Sequence, residues 1–401
     1  MPYNFDEIVV RKSTDSYKYD YAKKMGKPEA AIPLWVADMD FRIPPEAKEA
    51  LLKSVDHSIF GYTITLEDYD KIVQNWFSRY FNYETKASWI VKTPGVVFAL
   101  AHMIRAFTKE GDAVLIQKPV YQPFENLIKY NKRKLVVNSL VNKDNYYCID
   151  FDDFERKIFE ENVKLFILCS PHNPVARVWT RDELYNMGKI CQKYGCLVVS
   201  DEIHCDITYE GHNHSVFSTI DDSFAQNAVI CTAPSKTFNL AGLQNSNIFI
   251  ANKELRLKLT QEISKSGYQQ LNTMGVAAAK AVYQYGHDWL AELKQYLKGN
   301  LEFMRAHIKE KIPQIKIIEP EGSYLVWLDF RAFGLSHEAI DDILLNKAGV
   351  WLSSGTVFGD EGEGFQRINI ACPRATLESA LGRMEKVNQI LRPEAKGQKL
   401  P

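Results

Sequence analysis

The sequence has no long apolar stretch and no excess of charge of either sign. Lys and Arg total 49 while Asp and Glu total 50, which leaves a net charge of -1. Such a chain has no overall attraction to phosphate backbones or anionic membranes, so we expect no nucleic-acid partner. No run approaches the roughly 20 apolar residues that span a bilayer, so we expect no membrane partner either. Residues 1–13 include acidic residues and lack the apolar core of a signal peptide, which favours a cytoplasmic protein.

The number of cysteines is odd. The chain has seven cysteines, and Cys169, Cys196 and Cys231 lie inside apolar runs. A reduced cysteine in such a run behaves as a small core residue, so we expect no disulfide framework. Hydrophobic residues make up 46% and charged residues 25%, which excludes disordered and fibrous proteins. A length of 401 residues predicts two or three domains.

Short β-rich runs alternate with amphipathic stretches through the middle of the chain. Between two of these runs, Arg181–Lys193 has apolar residues at helical spacing, with Thr180 as the N-cap and Glu183 as its capping-box partner. This βαβ rhythm predicts an α/β fold with a mostly parallel sheet between helices and with ligands outside the carboxyl ends of the strands. The predicted strands span residues 113–117, 134–140, 164–170, 196–201, 228–233 and 247–251.

The pattern changes after residue 285. A long charged helix is predicted over 288–311 and a strand over 324–330, which indicates a second, smaller α/β domain. We therefore expect an N-terminal segment (1–47) packing with the small domain, a large cofactor-binding domain (48–287) and a small C-terminal domain (288–401). The polar tail from Arg392 is expected to fray.

Polar groups follow four of the apolar runs. Asn173, Asp201 and Lys236 each follow one, and a fourth loop carries Gly95 and leads into a predicted helix whose free N–H groups suit a phosphate. Each residue alone has a simpler structural explanation, as a turn residue, a cap or a solvated lysine. Together they fit pyridoxal phosphate, because its aldehyde forms a Schiff base with an amine and a carboxylate keeps its pyridine nitrogen protonated.

Other functional motifs are weak. The sequence has no GxxxxGK[ST], no strand-borne GxGxxG and no GxSxG. The best alternative is a metal site formed by His212 and His214, with His204 or Cys205 as a third ligand, but the spacing matches no standard zinc pattern. We therefore expect no metal, and we predict that His204 lines the cofactor pocket and that His212 and His214 lie on a surface loop.

Seven segments carry a resemblance to a known family. They are WVADMDF at 35–41, FGYT at 60–63, PVYQPF at 119–124, SPHNP at 170–174, SDEIH at 200–204, PSKTFNLAG at 234–242 and QRINIA at 366–371. With them the chain resembles, over its full length, the fold-type I pyridoxal-phosphate enzymes of the aminotransferase class I/II superfamily. Within that superfamily it is similar to the cystathionine β-lyase, or cysteine C–S lyase, branch.

The resemblance implies roles for individual residues. Lys236 is implied as the Schiff-base lysine that also moves the Cα proton, and Asp201 as the partner of the pyridinium. Asn173 is expected to bond the ring hydroxyl, and Tyr121 to stack on the ring. The remaining implied contacts are the phosphate on Gly95, Val96, Val97 and Ser235, with Tyr62 from a second subunit of a homodimer, and the substrate on Arg367, Asn173 and Ala37.

Two positions depart from the family pattern. Ala176 stands where a glycine is usual, and if that position needs a positive φ, alanine costs roughly 1 kcal/mol. Gln244 stands where aminotransferases proper usually have an arginine that clamps the phosphate, which favours the lyase branch.

The expected reaction is a β-elimination that converts a sulfur amino acid into pyruvate, ammonia and a thiol or hydrogen sulfide. The alternative is an aminotransferase on the same fold. A cofactor-binding regulatory protein is a third interpretation, and it does not explain why a reactive amine is kept.

Overall fold

The computed structural model describes residues 3–390, so the tail from Arg392 lies outside the described residues. The strands are β1 (Ile32–Pro33), β2 (Ile90–Thr93), β3 (Ala113–Lys118), β4 (Lys134–Ser139), β5 (Val141–Lys143), β6 (Tyr146–Cys148), β7 (Leu165–Cys169), β8 (Leu197–Asp201), β9 (Ala228–Thr232), β10 (Ser246–Phe249), β11 (Lys316–Ile318), β12 (Leu325–Asp329), β13 (Val350–Trp351), β14 (Ser353–Ser354) and β15 (Phe365–Asn369). The helices are α1 (Pro45–His57), α2 (Glu67–Phe81), α3 (Val96–Phe107), α4 (Pro123–Tyr130), α5 (Phe151–Glu160), α6 (Arg181–Lys193), α7 (Pro234–Thr237), α8 (Lys253–Lys265), α9 (Thr273–Tyr285), α10 (His287–Lys311), α11 (His337–Asp342) and α12 (Arg374–Ile390). Within the described residues, none of these helices is long and apolar enough to cross a membrane.

The main sheet has seven strands in the order β2-β10-β9-β8-β7-β3-β4. The five strands from β9 to β4 are parallel, and β10 runs antiparallel to both of its neighbours. All six predicted strands are present, with ends that agree within two residues. Strand β2 was not predicted, because its four residues are too few to show a strand period.

A smaller sheet lies in the C-terminal part of the chain. Its strands β11, β12, β15 and β14 pair antiparallel in that order. The predicted strand over 324–330 is β12, and the predicted charged helix over 288–311 is α10. Strand β1 pairs in parallel with β13, which joins the N-terminal segment to this part of the chain. The division into three parts at residues 47 and 287 stays a prediction.

Helix α6 begins and ends where the sequence predicts. The Thr180 side chain accepts a hydrogen bond from the Glu183 backbone N–H, and the Glu183 carboxylate accepts one from the Thr180 backbone N–H. These reciprocal bonds satisfy two N–H groups that the first turn of a helix leaves free. The helix interior is apolar on one side, and Leu184, Met187 and Cys191 are buried there.

The cysteines behave as core residues. All seven are free thiols, and six of them are buried. Cys169 and Cys231 lie on β7 and β9, on either side of β8, with both directly opposite Asp201 in the register of the sheet. The predicted reduced cysteines are therefore found in the core, and the sheet places a single carboxylate between two of them.

Candidate active site

The carboxyl ends of β7, β8 and β9 bring the predicted polar residues together. Asp201 is the last residue of β8, and the loop that carries Asn173 follows the neighbouring strand β7. Lys236 lies on the short helix α7, which follows β9. These elements enclose a cavity of about 300 Å³. The predicted site residues that line it are Ala37, Tyr121, Asn173, Asp201, His204, Lys236 and Arg367.

The Lys236 amine is held by a backbone carbonyl. Its Nζ donates a hydrogen bond to the Ala37 oxygen at 2.8 Å, and the buried Tyr324 hydroxyl donates to the same oxygen at 3.1 Å. Burial lowers the pKa of Lys236 to about 8, and the Asp38 carboxylate opposes that shift. A lowered pKa increases the neutral fraction of the amine near neutral pH, and the neutral amine is the form that acts as a nucleophile or a base.

Asp201 is a buried carboxylate, and the charge of Lys236 in the same cavity only partly offsets the effect of its burial. The residue is 5% exposed, and its Oδ1 accepts a 3.3 Å hydrogen bond from the Ile203 backbone N–H. Among the residues that the structure describes, none forms an ion pair with it. Burial therefore raises the pKa of Asp201 to about 7. A carboxylate in this state is stabilised by an added positive charge, and the protonated pyridine nitrogen of pyridoxal phosphate supplies one.

Arg367 presents a buried guanidinium that has no carboxylate partner within the described part of the chain. Its Nη1 donates to Asn173 Oδ1 at 3.0 Å, and its Nη2 donates to the Trp35 carbonyl at 2.6 Å and to Ser353 Oγ at 3.0 Å. Its Nε is buried without any hydrogen-bond partner. Burial lowers the pKa of Arg367 to about 10. An anionic ligand in the cavity would offset the free-energy cost of burying this charge. The planar guanidinium suits a carboxylate, because it can donate two parallel hydrogen bonds to it.

Tyr121 and His204 complete the walls of the cavity. The Tyr121 ring packs edge-on against Phe124 at 5.7 Å, and its backbone N–H donates to the Asn173 carbonyl. His204 Nδ1 lies 3.2 Å from the Ser323 hydroxyl. Burial lowers the pKa of His204 to about 3, so this imidazole is neutral at physiological pH. The cavity therefore offers one aromatic face and an uncharged ring beside Lys236 and Asp201.

The predicted phosphate residues lie at a helix start outside the cavity lining. Gly95 is the N-cap of α3, and no side chain caps the free N–H groups of Val96 and Val97. A Cβ added at Gly95 would meet nothing within 4 Å, so the space above this helix start is open. Ser235 lies beside Lys236 on α7. A helix N-terminus with open space above it fits a phosphate, because its N–H groups point at the ligand.

Tyr62 does not approach the Lys236 cavity of its own chain. Its side chain is 101% exposed, and it lines a neighbouring cavity of about 530 Å³ together with Pro94 and Gln244. The residues Ile59, Phe60, Ile64 and Leu66 around it are also exposed. Because Pro94 immediately precedes the predicted phosphate site, Tyr62 lies on the surface next to that site rather than within it.

The prediction that His214 is a surface residue was wrong. His214 is 9% exposed, and its Nε2 lies 2.8 Å from the carboxylate of Glu202, which is fully buried. A buried carboxylate needs hydrogen-bond donors, and His214 is one of its partners in the core. His212 is partly exposed and lies 3.8 Å from Glu321, while His204 contacts Ser323. The three histidines of the alternative metal site thus have three different partners.

Ala176, which stands where the family pattern has a glycine, has a positive φ. Its φ is 57°, in the left-handed region, and it is buried. Its carbonyl accepts hydrogen bonds from the backbone N–H groups of Glu321 and Gly322. The position therefore carries the strain of roughly 1 kcal/mol that glycine would avoid.

Several cavity residues were not found from the sequence. Trp35 and Ser353 fix the Arg367 guanidinium, and Phe358 lies 4.9 Å from its central carbon. Trp35 is part of the WVADMDF segment, which was a signal for it. Ser353 carried none, because its role depends on the pairing of β14 with β15, where it lies opposite Arg367. Phe358 lies in the turn that follows β14 and carried no signal either.

Comparison with known proteins agrees with this geometry. The chain matches the family Aminotransferase class I and II over residues 30–384. It is 42% identical to cystathionine beta-lyase PatB of Bacillus subtilis over 382 residues, covering 95% of this chain and 99% of that protein. The structure of cystalysin from Treponema denticola, which contains pyridoxal 5'-phosphate, matches with a TM-score of 0.94 and 38% identity, covering 98% and 100% of the two chains. The pyridoxal-phosphate-bound C-S lyase of Staphylococcus hominis matches with a TM-score of 0.90 and 31% identity, covering 96% and 97%.

Proposed function

Because this chain belongs to the aminotransferase class I and II family, we propose that it catalyses the pyridoxal-phosphate-dependent β-elimination of sulfur amino acids such as cystathionine. With one water molecule consumed, the products are pyruvate, ammonia and a thiol. The observation that carries the proposal is the buried Arg367, which has no carboxylate partner in the described chain and lines the same cavity as Lys236 and Asp201. An α-amino acid brings both the carboxylate that Arg367 lacks and the Cα proton that Lys236 would remove.

The residues of the cavity fit the cofactor. Asp201 would bind the pyridine nitrogen, Asn173 the ring hydroxyl and Tyr121 the ring face, while Lys236 would bind the aldehyde carbon. The free N–H groups at the start of α3 would hold the phosphate. When bound, pyridoxal phosphate supplies an electron sink that stabilises negative charge at the substrate Cα.

The substrate would be oriented by its carboxylate. Arg367 is already fixed by Asn173, Trp35 and Ser353, so its fork is aligned before the substrate binds. This arrangement would direct the Cα–H bond towards Lys236 Nζ. The amine would accept that proton, and the thiolate would leave from the neighbouring Cβ. The Ala37 carbonyl, which accepts a hydrogen bond from Lys236 Nζ, would hold the amine in place while it is not bound to the cofactor.

A lyase and an aminotransferase share the proton-removal step, so the two must be separated by experiment. The lyase is favoured by the 42% identity to a cystathionine beta-lyase and by Gln244 at the position of the usual clamping arginine. The test supplies a 2-oxo acid together with cystathionine and measures the new amino acid against pyruvate formed by elimination. The proposal expects pyruvate and thiol in large excess. Accumulation of the new amino acid in large excess over pyruvate would identify an aminotransferase instead.

The proposal also includes a cytoplasmic homodimer. The exposed apolar residues Ile59, Phe60, Tyr62, Ile64 and Leu66 support an interface with a second copy, since contiguous apolar surface of this kind marks contact sites. In such a dimer Tyr62 would extend to the phosphate site of the partner. The seven free thiols support a reducing compartment.

A further inference from the structure

A second cavity of about 450 Å³ lies between α2, the segment that follows β8, and α10. It shares no lining residue with the active-site cavity. One part of its wall is apolar, formed by Phe81 and Leu290, and another part is polar, formed by Asn213, Lys294 and Gln295. Neither the proposed reaction nor the proposed cofactor uses any of these residues.

Lys294 in this wall is a cation without a direct partner. The side chain is partly buried, and within the described residues its amine makes no hydrogen bond and no ion pair. Burial lowers the pKa of Lys294, and the Asp206 carboxylate offsets part of that effect from a distance. One helical turn further along α10, Lys298 forms a 2.8 Å ion pair with Glu210. Of these two lysines on α10, Lys298 is paired and Lys294 is not, within the described residues.

Asp206 is not in direct contact with Lys294. Its Oδ1 accepts a 2.9 Å hydrogen bond from Trp76 Nε1, and its Oδ2 accepts a 2.6 Å bond from the Thr237 hydroxyl. Both oxygens are therefore directed at other donors. A second nitrogen in the wall is also unsatisfied, because His214 Nδ1 is buried without a hydrogen-bond partner. Unsatisfied buried polar atoms are uncommon in native proteins and call for an explanation.

We propose that this cavity is a binding site for a small monocarboxylate, whose carboxylate pairs with Lys294 and whose apolar end packs against Phe81 and Leu290. The amides of Asn213 and Gln295 supply further polar contacts. Burial raises the pKa of Asp206 and so disfavours its negative charge, and Lys294 is the one lysine or arginine among the described residues of the lining, so its charge matches a monocarboxylate better than a doubly charged anion such as phosphate. A monocarboxylate with a short aliphatic chain matches both the charge and the mixed lining of the cavity.

The test measures the reactivity of Lys294 in the wild-type holoenzyme. The protein is treated with a trace of acetic anhydride, with and without millimolar butyrate, and the acetylation of individual lysines is read by peptide mass spectrometry. We expect butyrate to slow the acetylation of Lys294 by about tenfold, which corresponds to about 1.4 kcal/mol of protection. Lys298 is the internal control and keeps its rate. Sodium chloride at the same ionic strength leaves Lys294 reactive.

The proposal is overturned if butyrate leaves the acetylation of Lys294 unchanged, if it protects Lys294 and Lys298 equally, or if chloride protects as well as butyrate does.

A calorimetric titration with butyrate gives a second test. Arg367 also binds carboxylates under the proposed function, so both variants carry Arg367→Lys as a common background. Lys294→Gln should abolish the remaining heat of binding and Lys298→Gln should retain it. Equal heats in the two variants would place the butyrate elsewhere.

Discussion

The Nζ of Lys236 lies 2.8 Å from the carbonyl oxygen of Ala37, a residue 199 positions earlier in the chain. The N-terminal segment thus supplies the hydrogen-bond acceptor for Lys236, which lies on α7 directly after strand β9 of the main sheet. Close to Ala37, the neighbouring Asp38 and Asp40 form ion pairs with Arg11 and with the fully buried Lys18. This network fixes the segment in the position from which Ala37 contacts the amine.

The reactivity of Lys236 should follow its lowered pKa. Burial lowers this pKa from the ordinary 10.5 to about 8, so the neutral amine forms as the pH rises through 8. The rate at which cofactor-free protein captures pyridoxal phosphate should therefore rise up to about pH 8 and then level off. The measurement follows the absorbance of the bound cofactor against pH. A rate that keeps rising towards pH 10.5 would show that burial does not shift this amine.

Asp201 should destabilise the cofactor-free protein while it supports catalysis. Its pKa is raised from the ordinary 3.8 to about 7 in the folded protein. Its favourable contribution to the free energy of unfolding is therefore fully present below pH 3.8 and is lost as the pH rises through 7. At about pH 8, above that folded pKa, a buried charge remains, and Asp201→Asn should raise the melting temperature of the cofactor-free protein. The same variant should lose most of its elimination activity, because the pyridinium loses its partner.

The control for this prediction is Asp222→Asn, at an exposed position, which should change stability by less than about 0.5 kcal/mol. Melting curves of cofactor-free protein at about pH 8 and about pH 5 provide the comparison. The stabilising effect of Asp201→Asn should shrink at the lower pH. A loss of stability at the higher pH would contradict the account of Asp201 as an uncompensated charge.

Arg367→Lys should weaken substrate binding. Lysine keeps the charge but loses the planar fork that Asn173, Trp35 and Ser353 hold in place. We expect kcat/KM for cystathionine to fall by about a hundredfold, mainly through a higher KM. Arg331→Lys is the matched control, since Arg331 is an exposed side chain that pairs with the buried Asp329 and does not line the cavity, and it should retain full activity. Equal activity of the two variants would remove Arg367 from the substrate site.

Mixed dimers should test the proposed role of Tyr62. Alone, Tyr62→Ala should bind pyridoxal phosphate weakly and Lys236→Ala should be inactive. Random pairing of the two chains in a symmetric dimer restores one complete site in each mixed dimer, or roughly a quarter of all sites. Activity should therefore appear after the two variants are unfolded together and refolded. If, at a cofactor concentration too low to saturate Tyr62→Ala, the mixture is no more active than that variant alone, Tyr62 does not act across an interface.

Local sequence signals predicted the elements that depend on local chemistry. Helix α6 was predicted to the residue because its capping box and apolar spacing lie within the helix itself. Most strands of the main sheet were predicted because their apolar runs are buried on both faces. The antiparallel direction of β10 was not predicted, since strand direction depends on the path of the chain between strands rather than on the strand residues.

Contacts between distant parts of the chain were harder to predict. The residues that line the cavity were identified where a motif marked them, as for Asn173 and Asp201. Ser353 was missed because its contact with Arg367 arises from strand pairing alone. His214 was predicted to lie on a surface loop, but it is buried beside Glu202, a buried carboxylate directly after β8 that needs hydrogen-bond partners.

The most direct test of the proposed function is a cystathionine assay without any 2-oxo acid. Purified protein, pyridoxal phosphate and L-cystathionine are mixed, and pyruvate and free thiol are followed together over many turnovers. The account predicts that both accumulate in equal amounts, and that Lys236→Ala forms neither. If the wild-type protein forms neither product without a 2-oxo acid, yet makes a new amino acid once one is added, the β-elimination account is wrong.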